Sequence, residues 1–211
     1  MKFYHGSKNG ISGPIAPISR DACDFGRGFY MGTEPTQPLT LICRVSGPRM
    51  YTCEADFDGL SLYRFSPDID WALFIAYCRK RMPPKYRRIF APRYREILKH
   101  DVIFGKIAND KIFYVLDFFF DNLATDAAVI KSLSALNLGD QYCLKTRKAC
   151  AKVSIAEERI LGSGECRKLQ IRSENQRRRA AAIVDRIMDE NHHTGLMFSE
   201  ILIKKVEELG I

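Results

Sequence analysis

Asp24-Phe25-Gly26-Arg27-Gly28-Phe29-Tyr30 is the stretch on which the fold of this chain turns. Two glycines flank one arginine, so its centre is a tight turn or a place of close backbone approach. Phe29-Tyr30-Met31 then returns to a β pattern and delivers an aromatic ring at a strand edge beside the turn. Gly26-Arg27-Gly28 lacks the third glycine of the dinucleotide fingerprint and opens no helix after a strand, which disfavours a Rossmann fold. Upstream, Phe3-Tyr4-His5-Gly6-Ser7 reads as a short strand ended by Gly6-Ser7, with His5 at its mouth. Gly6 has no Cβ, so a flat ligand can lie against its backbone N–H and C=O. Downstream, Asp140-Gln141-Tyr142-Cys143-Leu144-Lys145 follows the turn signal Asn137-Leu138-Gly139 and alternates like an edge or half-buried strand. Singly, each of these residues has an ordinary structural role. Only the set points to a site.

Together the three stretches resemble the ADP-ribosyltransferase superfamily, in the branch marked by His, Tyr and a variable third residue. That branch includes diphtheria-type toxins and poly(ADP-ribose) polymerases. The nearest likeness is to a bacterial family of unannotated domains that share Asp-Phe-Gly-x-Gly-Phe-Tyr, and it covers residues 1–155. The resemblance implies an α+β fold with a split antiparallel sheet and flanking helices, and NAD as substrate. It also implies roles residue by residue, with His5, Tyr30 and Gln141 as the catalytic set. His5 contacts the adenosine ribose, Gly6 binds the nicotinamide amide through its backbone, Tyr30 stacks on the nicotinamide ring and Gln141 holds the nicotinamide ribose. Ser7 and Thr33 supply neighbouring hydrogen bonds, Gly28 joins the NAD-binding set, and Arg27 meets the pyrophosphate as a bidentate donor.

Polymerase-like relatives carry glutamate where this chain has Gln141. As a family, these enzymes break the nicotinamide–ribose bond through a cationic, oxocarbenium-like transition state. A glutamate there adds negative charge where positive charge develops. Gln141 can still accept from the ribose hydroxyl, but a neutral bond is roughly half as strong as a charge-assisted one. Slower chemistry, or an acceptor with its own nucleophilicity, follows; polymer synthesis is disfavoured. Gly139 stands two places before Gln141, where the arginine-modifying branch has an acid or amide, so that branch is disfavoured too. Asp140 is a candidate stand-in base.

Two function classes stay open. One is a mono-ADP-ribosyltransferase acting on a nucleic acid or protein, in the manner of a bacterial toxin or phage-defence effector held by a neutralising, antitoxin-like protein. The other is a silent relative that binds NAD, ADP-ribose or nucleic acid without turnover. A third reading is a basic nucleic-acid-binding domain with no NAD site.

Composition frames these readings. The 211 residues are 46% hydrophobic, enough for a substantial core. Cys23, Cys43, Cys53, Cys78, Cys143, Cys150 and Cys166 are odd in number and never at metal-ligand spacing, so reduced thiols in a cytoplasm and no metal are expected. No signal peptide is apparent, and residues 112–120, interrupted by Asp117, fall far short of the roughly 20 apolar residues that span a bilayer. The net charge of +8 favours an acidic partner. The excess gathers in Arg79, Lys80, Arg81, Lys85, Arg87, Arg88, Arg93 and Arg95, with Tyr86, Phe90 and Tyr94 interleaved. Cations for phosphates and rings for bases suit a single strand of nucleic acid or an acidic protein. Pro83-Pro84 and Pro92 suggest that a surface loop carries the run.

Along the chain, residues 49–57 and 60–65 read as a hairpin about Asp58-Gly59. Ser66 offers an N-cap to an amphipathic helix through Trp71, Phe74, Ile75 and Cys78. Residues 101–107 read as a buried strand ended by Asn109-Asp110, and residues 111–122 and 126–135 as helices. A boundary is expected at 155–164, which divides an NAD-binding domain, 1–155, from a helical extension, 156–211. There Ser173-Glu174-Asn175-Gln176 reads as a capping box for a helix to about Asn191. Gly195 breaks it before a second helix over 196–209, forming a hairpin that packs on the domain or binds a partner. His192-His193 is adjacent rather than i, i+4, unlike a metal site.

Overall fold

The computed structural model describes residues 1–43, 47–108, 112–136 and 138–210. The expected turn at Asn137, the strand end at Asn109-Asp110 and the helix start at Lys111 lie outside them. The fold is mixed α+β around a seven-stranded sheet of order β4-β5-β6-β2-β1-β3-β7.

β1 (Lys2–Ser7) is antiparallel to β3 (Arg49–Ala55), from Lys2 opposite Glu54 to Ser7 opposite Arg49, and β3 is antiparallel to β7 (Val153–Ile160). β2 (Phe29–Gly32) lies against β6 (Asp140–Leu144), with Gly32 opposite Gln141, and β6 against β5 (Val102–Lys106). The two groups of strands are in register at one pair, Tyr4 opposite Gly32. The sheet is thus one continuous sheet rather than two, and its slightest pairing is the one between β1 and β2. Two details differ from expectation. β4 (Leu62–Arg64) runs parallel to β5, so the sheet is not wholly antiparallel, and β4 and β3 sit in opposite halves rather than in a hairpin. β6 is also interior, flanked on both sides, rather than an edge.

Alternation sorts the strand residues into two cores. On one face Ile103 and Cys143 meet α2 (Ile69–Cys78), α3 (Pro84–Leu98), α4 (Phe113–Phe120) and α5 (Asp126–Ala135), with Trp71, Phe74, Phe90 and Phe119 fully buried. On the other, Phe3, Phe29, Met31, Tyr142 and Leu144 pack with Ile11, Ile15 and the short α6 (Arg147–Cys150). α1 (Thr36–Ile42) lies on β1 with Leu39 and Ile42 against Met50, Leu161 and Cys166.

Several local expectations change. Asp68, not Ser66, caps α2, its carboxylate accepting from the Trp71 N–H at 3.1 Å. The basic run lies not in a loop but largely on α3, with Pro84 in the first turn, where a missing N–H costs nothing. Ser173 is mid-helix: α7 (Ser163–Asn191) is one rod of 29 residues, roughly 40 Å long at 1.5 Å per residue. The boundary expected at 155–164 falls within β7, which runs on to Ile160. Beyond it, Ala180 and Val184 of α7 and Phe198, Ile201 and Leu202 of α8 (Phe198–Glu208) join the helix-side core, where Phe198 packs edge-on against Phe119 at 5.2 Å. The C-terminal helices are part of the domain's core.

A candidate ligand cleft at the seam of the sheet

Beyond Tyr4 and Gly32 the strands part, and the His5 ring bridges the gap, its Nδ1 2.7 Å from the Tyr30 carbonyl oxygen. A carbonyl only accepts, so Nδ1 carries the proton and Nε2 is a free acceptor in the neutral ring. The ring stacks on Phe29 at 4.3 Å. Burial lowers the His5 pKa below its ordinary value, opposed in part by the bond to Tyr30, which keeps the imidazole neutral at physiological pH.

Tyr30 projects to the opposite side. Its hydroxyl donates to the Gly26 carbonyl at 2.6 Å and accepts from the Phe25 N–H at 2.9 Å, so the side chain pins the turn that precedes its own strand. Gly26 has φ +71°, a conformation side chains resist. Burial, then the nearby Cys143 and Asp24, raises the Tyr30 pKa well above the ordinary phenol range, leaving it a permanent donor.

The third group is a buried network. Arg79 holds Asp24 through Nε at 2.9 Å and through Nη2, and reaches the Ala108 carbonyl at 3.2 Å. The other Asp24 oxygen accepts from the Ala108 N–H at 3.1 Å and from Gln141 Nε2 at 2.7 Å. Gln141 also donates to the Lys106 carbonyl at 3.3 Å. The Arg79 guanidinium carbon lies 3.6 Å from the centre of the Phe113 ring, a close cation–π contact.

These groups wall a cavity of about 670 Å³, within the roughly 300–1,000 Å³ of small-molecule sites. Tyr4, His5 and Gly6 form one side, Asp24, Tyr30, Arg79 and Gln141 another, Pro38 and Leu41 of α1 and Phe113, Asp117 and Phe120 of α4 the rest. Arg20 and Arg81 also line it. Arg81 pairs with Asp121 at 2.8 Å and Asp117 at 3.4 Å, whereas Arg20 is exposed.

His5, Gly6, Tyr30 and Gln141 thus meet in one cleft, and four other expected NAD contacts do not reach it. Arg27 is exposed and paired with Asp21 at 3.0 Å. Ser7 turns to the Gly10 carbonyl at 2.9 Å, and Thr33 bonds the Asp140 backbone at 3.3 and 3.4 Å. A Cβ on Gly28 would overlap Cys143 Sγ, so that glycine serves the packing of β2 on β6. Gly6 does line the cleft, though the absence of its Cβ is also required by α1, since Pro38 would lie 2.9 Å away. Asp140 is outside the lining and pairs with Lys106 at 2.7 Å.

The basic run divides. Arg79 and Arg81 line the cleft; Lys80 and Arg88 are exposed; Lys85 lies over Tyr86 at 5.5 Å, and Arg87 donates to the Tyr77 carbonyl at 2.7 Å. Phe90 and Tyr94 are buried and offer bases no stacking surface. Asp24, Arg20 and Phe113 were not singled out by sequence. Asp24 heads the decisive stretch and could have been, because an acid before a strand of Phe and Tyr is a burial risk that demands a partner.

Among the described residues no group of three potential ligands could hold a metal, and no helix is long and apolar enough to cross a membrane. The seven cysteines are free, and burial pushes the Cys78 and Cys143 thiols up to about 12. A family model described as "Protein of unknown function (DUF3990)" matches residues 1–155. No curated protein matches the chain, and no solved structure does.

Proposed function

We propose that this chain, which belongs to the DUF3990 family, is a mono-ADP-ribosyltransferase that uses NAD as its substrate. The observation that carries the reading is convergence. His5, Tyr30 and Gln141 stand far apart in sequence and line one cleft where the sheet divides. The His5 Nε2 accepts from the adenosine ribose, the Tyr30 ring stacks on the nicotinamide and the Gly6 backbone takes its carboxamide. Gln141 accepts from the second ribose. Arg20 replaces Arg27 as the cation for the pyrophosphate, because it lines the cleft. In the reaction the nicotinamide–ribose bond breaks with its electron pair leaving on nicotinamide. A lone pair of the acceptor then bonds the anomeric carbon, and the acceptor loses a proton. The acceptor is a nucleic acid or a protein.

A second reading, binding without turnover, draws on the charge of the cleft. Asp24 is held by Arg79, Asp117 faces Arg81, and Gln141 is neutral. The purely basic nucleic-acid module has less behind it, since two of the three rings of the run, Phe90 and Tyr94, are buried.

Labelled NAD and a cell lysate test the proposal, with each sample divided between nuclease and protease. Label removed by one digestion names the acceptor class, and His5→Ala and Gln141→Ala should abolish transfer. NAD binding without label selects the second reading; no NAD binding removes the first. If the chain acts as a toxin, growth arrest on expression disappears when His5 and Tyr30 are both changed.

A further inference from the structure

We infer that Asp24 is a positioning residue: it makes the third site position an amide and turns the Gln141 carbonyl oxygen, rather than a charge, toward a ligand hydroxyl. Both hydrogens of Gln141 Nε2 are committed, one to the Asp24 carboxylate at 2.7 Å and one to the Lys106 carbonyl at 3.3 Å. Both partners are acceptors only, so the amide has one permissible orientation, and a flipped amide would set oxygen against oxygen twice. Oε1 then points away from both, on a side chain that is 4% exposed and lines the cleft. No described residue donates to that oxygen. Among the described residues it lacks a donor, and a hydroxyl of the ligand supplies one; that this hydroxyl belongs to a ribose rests on the function proposed above.

The same geometry accounts for the absence of glutamate. Gln141→Glu would bring a second carboxylate against Asp24, and Arg79 is one cation already committed to the first. Two such carboxylates share a proton and titrate as a pair. Position 141 is therefore an amide because position 24 is an acid.

The test uses the full chain, Gln141→Glu, Asp24→Asn and Asp24→Asn/Gln141→Glu, between pH 6.5 and 8.5. Without ligand, the melting temperature of Gln141→Glu should fall relative to wild type as pH rises, because its shared proton is lost. The double variant should not show this fall. With ADP-ribose as probe in calorimetry, wild-type affinity should be flat over the range. Gln141→Glu should lose at least about tenfold toward pH 8.5 and the double variant should recover most of it, about a 1.4 kcal/mol difference per tenfold. A Gln141→Glu variant with wild-type melting at every pH, in a chain that binds ADP-ribose, overturns the role of Asp24 and spares the proposed function. The pH-dependent melting pattern in a chain that binds neither ADP-ribose nor NAD does the reverse.

Discussion

In the half of the sheet made by β4, β5, β6 and β2, Ile103, Cys143 and Leu144 are sealed to 0% exposure; in the other half every residue of β7 from Ser154 to Ile160 is exposed. Helices cover one face of the first half and a second core covers the other, whereas the second half tapers to a bare strand. The proposed chemistry follows this asymmetry. Tyr30 and Gln141 stand on the sealed half, where neighbours leave each rotamer little choice. His5 stands on β1, at the margin of the open half, and reaches across the seam. Groups that must be placed to a fraction of an ångström belong on the stiffer element, and a wall that must admit a ligand belongs on the one that can yield.

The largest test of the contrast sets Trp71→Ala against Ile155→Ala. Trp71 is fully enclosed and its indole N–H donates to the Lys106 carbonyl at 3.1 Å, so its truncation should cost about 3–5 kcal/mol in urea unfolding. The exposed Ile155 should cost less than about 0.5 kcal/mol. Equal losses would mean that the halves do not differ. Next, Arg79→Met leaves Asp24 buried without its cation and should cost about 3 kcal/mol. Arg81→Met breaks only exposed pairs and should cost less than about 1 kcal/mol. Tyr30→Phe removes two bonds to the turn and should cost about 1–3 kcal/mol, with faster hydrogen exchange at the Phe25 amide than elsewhere in the sealed half.

The smallest effect belongs to the open margin. The His5 pKa is lowered from 6.5 in the folded chain, so below pH 6.5 the unfolded state binds more protons there. Stability therefore falls as pH drops from 6.5 toward the lowered value, and is unaffected above it. His5→Asn should flatten that part of the stability profile. An unchanged slope would place the titration elsewhere.

What the sequence made legible was mostly local. The helix read over 126–135 is Asp126–Ala135, and the alternation about Gln141 does mark a strand. The turn at Gly59 was also readable, with φ +74°. The hairpin inferred from it was not real, because β4 found its partner in Val102–Lys106, about forty residues on. Pairing is non-local, and no dipeptide encodes it. Ser173 failed for a related reason. Its capping pattern is sound, but the helix that began at Ser163 was already running through it. At the site, the convergence of His5, Tyr30 and Gln141 rested on motifs. The Asp24–Arg79 pair was hidden because one partner looked like a turn residue and the other like one member of a basic surface.

The pairing of Tyr30 with Cys143, in the ladder between β2 and β6, bears on how the protein is made. On the ribosome, β1 and β3 can meet early, but β2, joined to β1 at a single pair, waits for more than a hundred further residues before its other neighbour exists. Until β6 emerges, the nascent chain holds His5 and Tyr30 without Gln141, and the Asp24–Arg79 pair without the amide that completes it. Contacts of such long sequence separation form slowly. The cleft is thus a late product of synthesis, and a chain cut short before residue 140 carries every lining residue but Gln141 and lacks the strand that completes the site.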